Sequence, residues 1–353
     1  MKENLIAPKE WSDNQRRIFI DAAQLYEAFA DASREERSYR GGMHWKKSKG
    51  KDYLFRSTDR LGYGKSLGPR TLETEKILEA FRKGKQRSKE RMSSLGERLR
   101  EQARFCKAAN IQRVPRIVSN ILRVLDQHHL LGSSMCVIGT NAIYAFEAAS
   151  GVFVDRPILA TADMDILWDV RSRLTLASNP ELPATGFIDI LRKADRSFDR
   201  HGGQHFRAVN NDGYMVDLVK PEPKPAIAVE RRQVGEENDL EAAEIRNLQW
   251  LVSSPKFEQV VIGDDGYASK MICPDPRSFA LHKIWLSVQP DRDPVRRKRD
   301  RHQALAVAFL VARYLPGFPF AAADLRMFPK EVFHAASETI AAEAFPEGLD
   351  GLG

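Results

Sequence analysis

The chain has 353 residues, more than one typical domain holds, so two or three packed units are expected. An apolar fraction of 42% suffices for a core, but no run reaches the roughly 18 apolar residues of a membrane span, and Met1-Lys-Glu-Asn lacks a secretory apolar segment, which predicts a soluble, cytoplasmic protein with no membrane partner. A formal charge of +7 favours an anionic partner, and three scattered cysteines, Cys106, Cys136 and Cys273, give neither a disulfide framework nor a zinc knuckle, so they read as small core residues.

Residues 12–38 carry an apolar stripe at helical spacing (Ile18, Phe19, Ala22, Leu25, Tyr26, Phe29), with Ser12 as the cap. Residues 39–56 alternate around Ser48-Lys-Gly and read as a β-hairpin with a basic tip. Lys46, Lys47, Lys49 and Lys51 beside Trp45, Tyr53 and Phe55 suit phosphate contact and base stacking, or equally a solvated tip over packed aromatics. Residues 61–70 are glycine-rich, but Asp59 stands where a phosphate-binding P-loop needs its first glycine and no apolar strand precedes it. The segment reads as a loop. Residues 71–109 form a long charged helix loosened at Gly84 and Gly96, its basic run either a solvated face or a nucleic-acid contact.

A helix at 115–130 leads into the central pattern. Met135–Ile138 is a short buried strand ending at Gly139-Thr140, followed by an alanine-rich helix from Asn141 that Gly151 stops. Asp163–Trp168 is a second buried strand, and Asp163 and Asp165, two apart, share one face. Two carboxylates on an otherwise apolar strand repel each other and lose hydration unless a cation compensates them, and magnesium is the usual one. The Gly139-Thr140 turn can offer backbone N–H groups to phosphate oxygens. Metal and phosphate would then meet at one end of one sheet.

Phe187–Leu191 starts a strand or a helix. Gln204–Val209 and Tyr214–Val219 flank Asn211-Asp-Gly213 as a hairpin, with Asp217 a lone carboxylate on its second strand. His201 and His205 have i, i+4 spacing, but two intervening glycines argue against a helical zinc pair. Residues 236–247 read as a helix, Trp250-Leu-Val as a short strand, and 257–262 with 267–272 as another hairpin. Asp275-Pro276 and Asp293-Pro294 each place a capping aspartate before a proline at the first helical position. The Gly348–Gly353 end is expected to fray.

The order Ile138-Gly139-Thr140, Asp163-x-Asp165, then Asp217 resembles the DNA-polymerase-β-like nucleotidyltransferase fold, with threonine for the commoner serine and a longer gap before the acids. Tyr39-Arg-Gly-Gly-Met-His-Trp, Ser66-Leu-Gly-Pro-Arg-Thr-Leu-Glu-Thr-Glu and Asp163-Met-Asp-Ile-Leu-Trp-Asp are similar to a bacterial group of that fold. The resemblance implies an α+β protein: an N-terminal helical region with a basic hairpin (1–114), a nucleotidyltransferase core (115–273) and a C-terminal helical region (274–353). It implies transfer of a nucleoside monophosphate from an NTP to an acceptor hydroxyl. Asp163, Asp165 and Asp217 would be catalytic and bind magnesium or manganese, and Gly139, Thr140 and Asn141 would hold the nucleotide. The helix bearing Lys283, followed by Arg299-Asp300, is similar to abortive-infection nucleotidyltransferase toxins, which adds Lys283 and Arg299 to the nucleotide site and brings an antitoxin protein as a partner. RNA, tRNA in particular, suits the basic segments as acceptor. A protein or small-molecule acceptor, or a non-enzymatic nucleic-acid-binding protein, are the other readings.

Overall fold

The structure, a computed structural model, describes residues 8–57, 63–172, 186–223, 233, 235 and 238–344. The opening Met1–Asn4, Asp59, Leu61 and Gly62 of the glycine-rich segment, Glu236 and Glu237, and the Gly348–Gly353 end lie outside the described residues. Among those described, two compact units separate. The smaller falls within Arg17–Ile111 and Gly266–Ala268, and the larger within Met1–Arg16, Gln112–Asp265 and Ser269–Gly353.

In the larger unit, β1 (Lys9–Glu10) leads to α1 (Asp13–Ser38), which runs into the smaller unit. The Ser12 hydroxyl accepts from the Gln15 amide at 3.3 Å, and Gln15 Oε1 accepts from the Ser12 amide at 2.9 Å. This reciprocal cap satisfies donors that a helix start leaves open. In the smaller unit β2 (Gly42–Ser48) and β3 (Lys51–Ser57) form the expected hairpin. Its turn residues Lys49 (φ 48°) and Gly50 (φ 77°) are both left-handed, as a two-residue turn matched to strand twist requires. The glycine-rich segment is not a loop: Gly64–Pro69 is β4, paired with β3. An edge strand tolerates glycine and proline because one side of its ladder is free. α2 (Leu72–Ala108) is one 37-residue helix capped by Thr71, and neither Gly84 nor Gly96 breaks it. Gly84 serves packing, since a Cβ there would stand 2.3 Å from the Tyr39 hydroxyl. Leu25 and Ala32 of α1 close against Leu95 of α2.

The larger unit continues with α3 (Arg116–Gln127), β5 (Met135–Ile138), a 3₁₀ turn at Gly139–Ala142, α4 (Ile143–Ser150), β6 (Val152–Phe153), α5 (Arg156–Leu159) and β7 (Asp163–Trp168). Then come α6 (Phe187–Ala194), β8 (Asp199–Arg200), β9 (Arg207–Val209), β10 (Met215–Pro221), β11 (Ala243–Ile245) and α7 (Leu248–Ser253). The last described elements are β12 (Lys256–Ile262), β13 (Ala268–Pro274), α8 (Pro276–Ser287), α9 (Pro294–Tyr314) and α10 (Lys330–Glu343).

The central sheet runs β5-β7-β10-β9-β8, with β11 against β10. β7 and β10 are parallel, while β5–β7 and β10–β9 are antiparallel. The alanine-rich α4 is buried nearly all round. Its Phe146 meets Phe257 and Phe279 edge-on at 5.6 and 5.4 Å. The one acid of α4, Glu147, accepts from Arg113 at 2.9 and 3.0 Å and from the Val154 amide at 2.8 Å, which meets the rule that a buried charge needs partners. Gly151 (φ 62°) ends α4, as the sequence predicts.

Two further expectations fail. Of the helix expected over 236–247, the described residues 238–247 are not helical; Ala243–Ile245 instead pairs parallel to β10, whose open backbone groups outweigh local helix propensity. Trp250–Val252 is not a strand but lies within α7, since three apolar residues are too few to show a period. Phe187–Leu191 starts a helix rather than a strand. Both Asp-Pro caps hold: Asp275 accepts from the Arg277 amide, and Asp293 from those of Val295 and Arg296. Cys106, Cys136 and Cys273 are buried and unpaired. Among the described residues no helix is long and apolar enough to cross a membrane.

Candidate active site

The register of the sheet decides where the acids meet. Asp165 on β7 lies directly beside Asp217 on the parallel β10, and Asp163 beside Met215. Residues side by side in a ladder share a face, so all three aspartates project from one side of the sheet. β5 ends next to them, with Ile138 opposite Asp165, and delivers Gly139 to the same edge. Gly139 has φ 68°, and a Cβ there would come 2.3 Å from Asp165 Oδ2. Only glycine meets both the left-handed backbone and the missing space.

These groups line a cavity of about 190 Å³. Lys283 from α8, Arg292 from the α8–α9 connection, and Arg296, Arg299 and Asp300 from α9 close its other side, with Thr161 and Arg207 completing it. Lys283 is buried, and its Nζ donates to Asp300 Oδ1 at 2.6 Å while Arg292 Nε donates to Asp300 Oδ2 at 2.9 Å. Burial lowers the Lys283 pKa and Asp300 only partly restores it. Burial would raise Asp300, but Lys283 and Arg292 together hold it below the usual carboxylate value. Thr140 is latched to α9: its hydroxyl accepts from Arg299 at 3.1 Å and from Gln303 at 3.0 Å. Spaced three and four residues apart, Arg296, Arg299 and Gln303 fall on one face of that helix.

The three aspartates are in different states. Asp217 gives both oxygens to Arg207, at 2.7 Å each, from the neighbouring strand of its hairpin. Asp163 accepts from the Thr161 hydroxyl. Asp165 is directly beside Asp217 and two residues from Asp163 on the same strand. Burial, then Asp163 and Asp217, push its carboxyl up to about 7 against weaker opposing pulls from Lys283 and Arg292. Two adjacent hard oxygen donors, one of them uncompensated, have the chemistry of a magnesium site. Among the described residues no group of three or more His, Cys, Asp or Glu is placed to hold one metal ion, in keeping with the commitment of Asp217 to Arg207. The residues fit a cation held by Asp163 and Asp165.

Seven of the eight residues expected at the site line the cavity. Asn141 does not; its Nδ2 donates to the Asp163 carbonyl at 2.7 Å, so its side chain fixes the start of β7 instead of facing a ligand. Thr161, Arg292 and Arg296 escape sequence reading. Arg296 had a usable signal in its one-turn spacing from Arg299, whereas Arg292 and Thr161 lie in connections without a period. His201 and His205 form no metal pair: His201 Nδ1 accepts from the Gly203 and Gln204 amides, and His205 faces Glu241.

A mixed sheet gathers three carboxylates at one end, and lysine and arginine from two helices face them across one cavity. A family model described as Nucleotidyltransferase matches residues 116–328, from the start of α3 to beyond α9 and so across every residue of this pocket, and the chain belongs to that family. No curated protein and no solved structure matches the chain.

Proposed function

We propose that the protein transfers a nucleoside monophosphate from an NTP to an acceptor hydroxyl on RNA, tRNA in particular, with magnesium or manganese as cofactor. The observation that carries this reading is the meeting of Asp163, Asp165 and Asp217 with Lys283, Arg292, Arg296 and Arg299 in one cavity. Asp163 and Asp165 hold the cation, which when bound offsets triphosphate charge and polarises the reacting phosphorus. Gly139 and Thr140 present the turn to phosphate oxygens. The Thr140 hydroxyl already accepts twice, so its proton is what it has to give. Lys283 and the three α9-side arginines oppose the charge that builds on the departing pyrophosphate. Asp217 receives the proton of the attacking hydroxyl once Arg207 yields an oxygen. The acceptor oxygen bonds to the α-phosphorus as the bond from that phosphorus to the bridging oxygen of the leaving pyrophosphate breaks.

The test is transfer of label from α-labelled ATP, CTP, GTP and UTP, with magnesium, to total RNA and to total protein. Label is expected in RNA and is expected to vanish with Asp163→Ala. Label in protein alone would replace the acceptor. Transfer that persists in the Asp163→Ala protein would overturn the reading of the site.

A further inference from the structure

We propose a second binding site: the outward face of the β2–β3–β4 sheet takes unpaired nucleotides of a single-stranded nucleic acid. The hairpin register divides its side chains into two sets. Trp45 pairs with Leu54 and Met43 with Arg56, so these four share a face. That face belongs to the packed interior of its unit: Leu54 is fully buried, and the Arg56 guanidinium sits 4.2 Å over the ring of Phe81 on α2. Trp45, which the sequence groups with the other aromatics, is on this inner face with Arg70 at 5.1 Å from its ring.

The alternate residues form the opposite face. His44 lies across from Phe55 and Lys46 across from Tyr53, with Lys51 one step further along the same row. The rings of His44 and Phe55 stand 5.8 Å apart, and the Lys46 ammonium rests 5.1 Å from the Phe55 centroid. Tyr53 and Phe55 are half-buried while His44, Lys46 and Lys51 are exposed. Two aromatic planes on the outer side of an antiparallel sheet, edged by lysines, match what a single strand needs: stacking surfaces for bases and cations for phosphates.

Charge selects this face over the basic run on α2. There Lys83 is paired with Glu79 at 2.7 Å, and Arg91 with Glu35 at 2.9 Å. Lys46 and Lys51 have no carboxylate partner among the described residues, and the one acid of β3, Asp52, is on the inner face with Arg70 at 3.7 Å. The cationic character of the sheet is therefore left for a partner, and a base arriving at Phe55 frees the Lys46 ammonium to meet the adjoining phosphate. Only the choice of RNA over DNA rests on the function proposed above. Single-strand binding itself needs neither NTP nor magnesium.

The experiment is fluorescence anisotropy of the full chain with a labelled twelve-nucleotide RNA strand, the same DNA strand and the matching RNA duplex, without NTP or divalent metal. Single strands are expected to bind at least tenfold tighter than the duplex. Tyr53→Ala and Phe55→Ala should each weaken binding by about tenfold, with Phe55→Tyr close to the parent. Lys46→Ala and Lys51→Ala should each lower the log–log salt slope by about 0.7. His44→Ala, at an exposed position, provides the same test in a variant whose folding is not in question. Asp163→Ala should bind as the parent does, so loss of transfer with binding intact separates this site from the catalytic one. Unchanged affinity in the Tyr53→Ala and Phe55→Ala proteins at parental Tm, equal binding of the duplex, or preference for a polyglutamate peptide would overturn the proposal.

Discussion

Replacing Asp165 by asparagine should make the metal-free protein more stable, and by an amount that depends on pH. The carboxyl titrates at 3.8 in an open chain and at about 7 in the fold, where burial and then Asp163 and Asp217 oppose its charge. Between those values the folded state holds a proton that the unfolded state has lost, so stability falls as pH rises through the window and stays low above 7. Three pKa units correspond to about 4 kcal/mol, at roughly 1.4 kcal/mol each. Asparagine keeps the shape, carries no charge and can donate to a neighbouring carboxylate. Its gain should be on the order of 1–2 kcal/mol at pH 5 and about 4 kcal/mol at pH 8, or a rise in Tm of roughly 5–15 °C at the higher pH. Thermal unfolding of both proteins in chelator, from pH 5 to 8, reads this directly. Magnesium should narrow the gap by stabilising the parent, and the variant should lose transfer. A gain that does not grow with pH, or a loss at pH 8, would refute the assignment of Asp165 as the strained charge.

His282 supplies the opposite slope. Burial, then Lys283, lowers it to about 3 from 6.5, so the unfolded chain takes up a proton that the fold refuses, and stability is full above 6.5 and falls as pH drops. The loss is on the order of 2 kcal/mol at pH 5, and it should emerge cleanly in the Asp165→Asn protein as a Tm that climbs from pH 4.5 to 6.5; a flat line there contradicts it. Lys283→Met removes one partner of a buried pair, which leaves Asp300 to Arg292 alone, and should cost about 3 kcal/mol in urea unfolding and raise KM for the NTP more than tenfold. An unchanged midpoint would show that the pair carries no net charge stabilisation. Gly139→Ala meets both a left-handed backbone and Asp165 Oδ2, so it should cost roughly 1–3 kcal/mol and abolish magnesium-dependent thermal stabilisation. Retention of that stabilisation would show that Asp165 can move without harm.

The features of this chain that were legible in its sequence are those with a local cause. Short apolar runs marked β5 and β7, alternation marked the hairpins, the Asp-Pro pairs marked the starts of α8 and α9, and side-chain parity alone put Asp163 and Asp165 on one face. What escaped depends on partners far along the chain. β4 exists because β3 offers it a ladder and β11 because β10 does; neither Gly64–Pro69 nor Ala243–Ile245 has a strand-like composition. Arg156 and Arg207 are both local arginines that the sequence offers to the acids, and hairpin register, which sets Arg207 directly opposite Asp217, decides between them. The position of Asn141 in the chain beside Gly139-Thr140 does not show the direction its amide takes once a 3₁₀ turn forms, which is toward the Asp163 carbonyl.

The latch of Thr140 to Arg299 and Gln303 spans 159 and 163 residues of chain, which sets an order on synthesis. All three carboxylates have been made by Asp217, while Arg299 follows about 80 residues later. At about 5–20 residues per second, that interval lasts some 4–16 s. Until Lys283 is added, Arg207 is the only cation yet made among the described residues that line the pocket, and Arg292, Arg296 and Arg299 follow Lys283 in turn. A chain still on the ribosome therefore carries the acids before most of the cations that face them, and the cavity is complete only once α9 has been made and has packed against the Gly139–Ala142 turn.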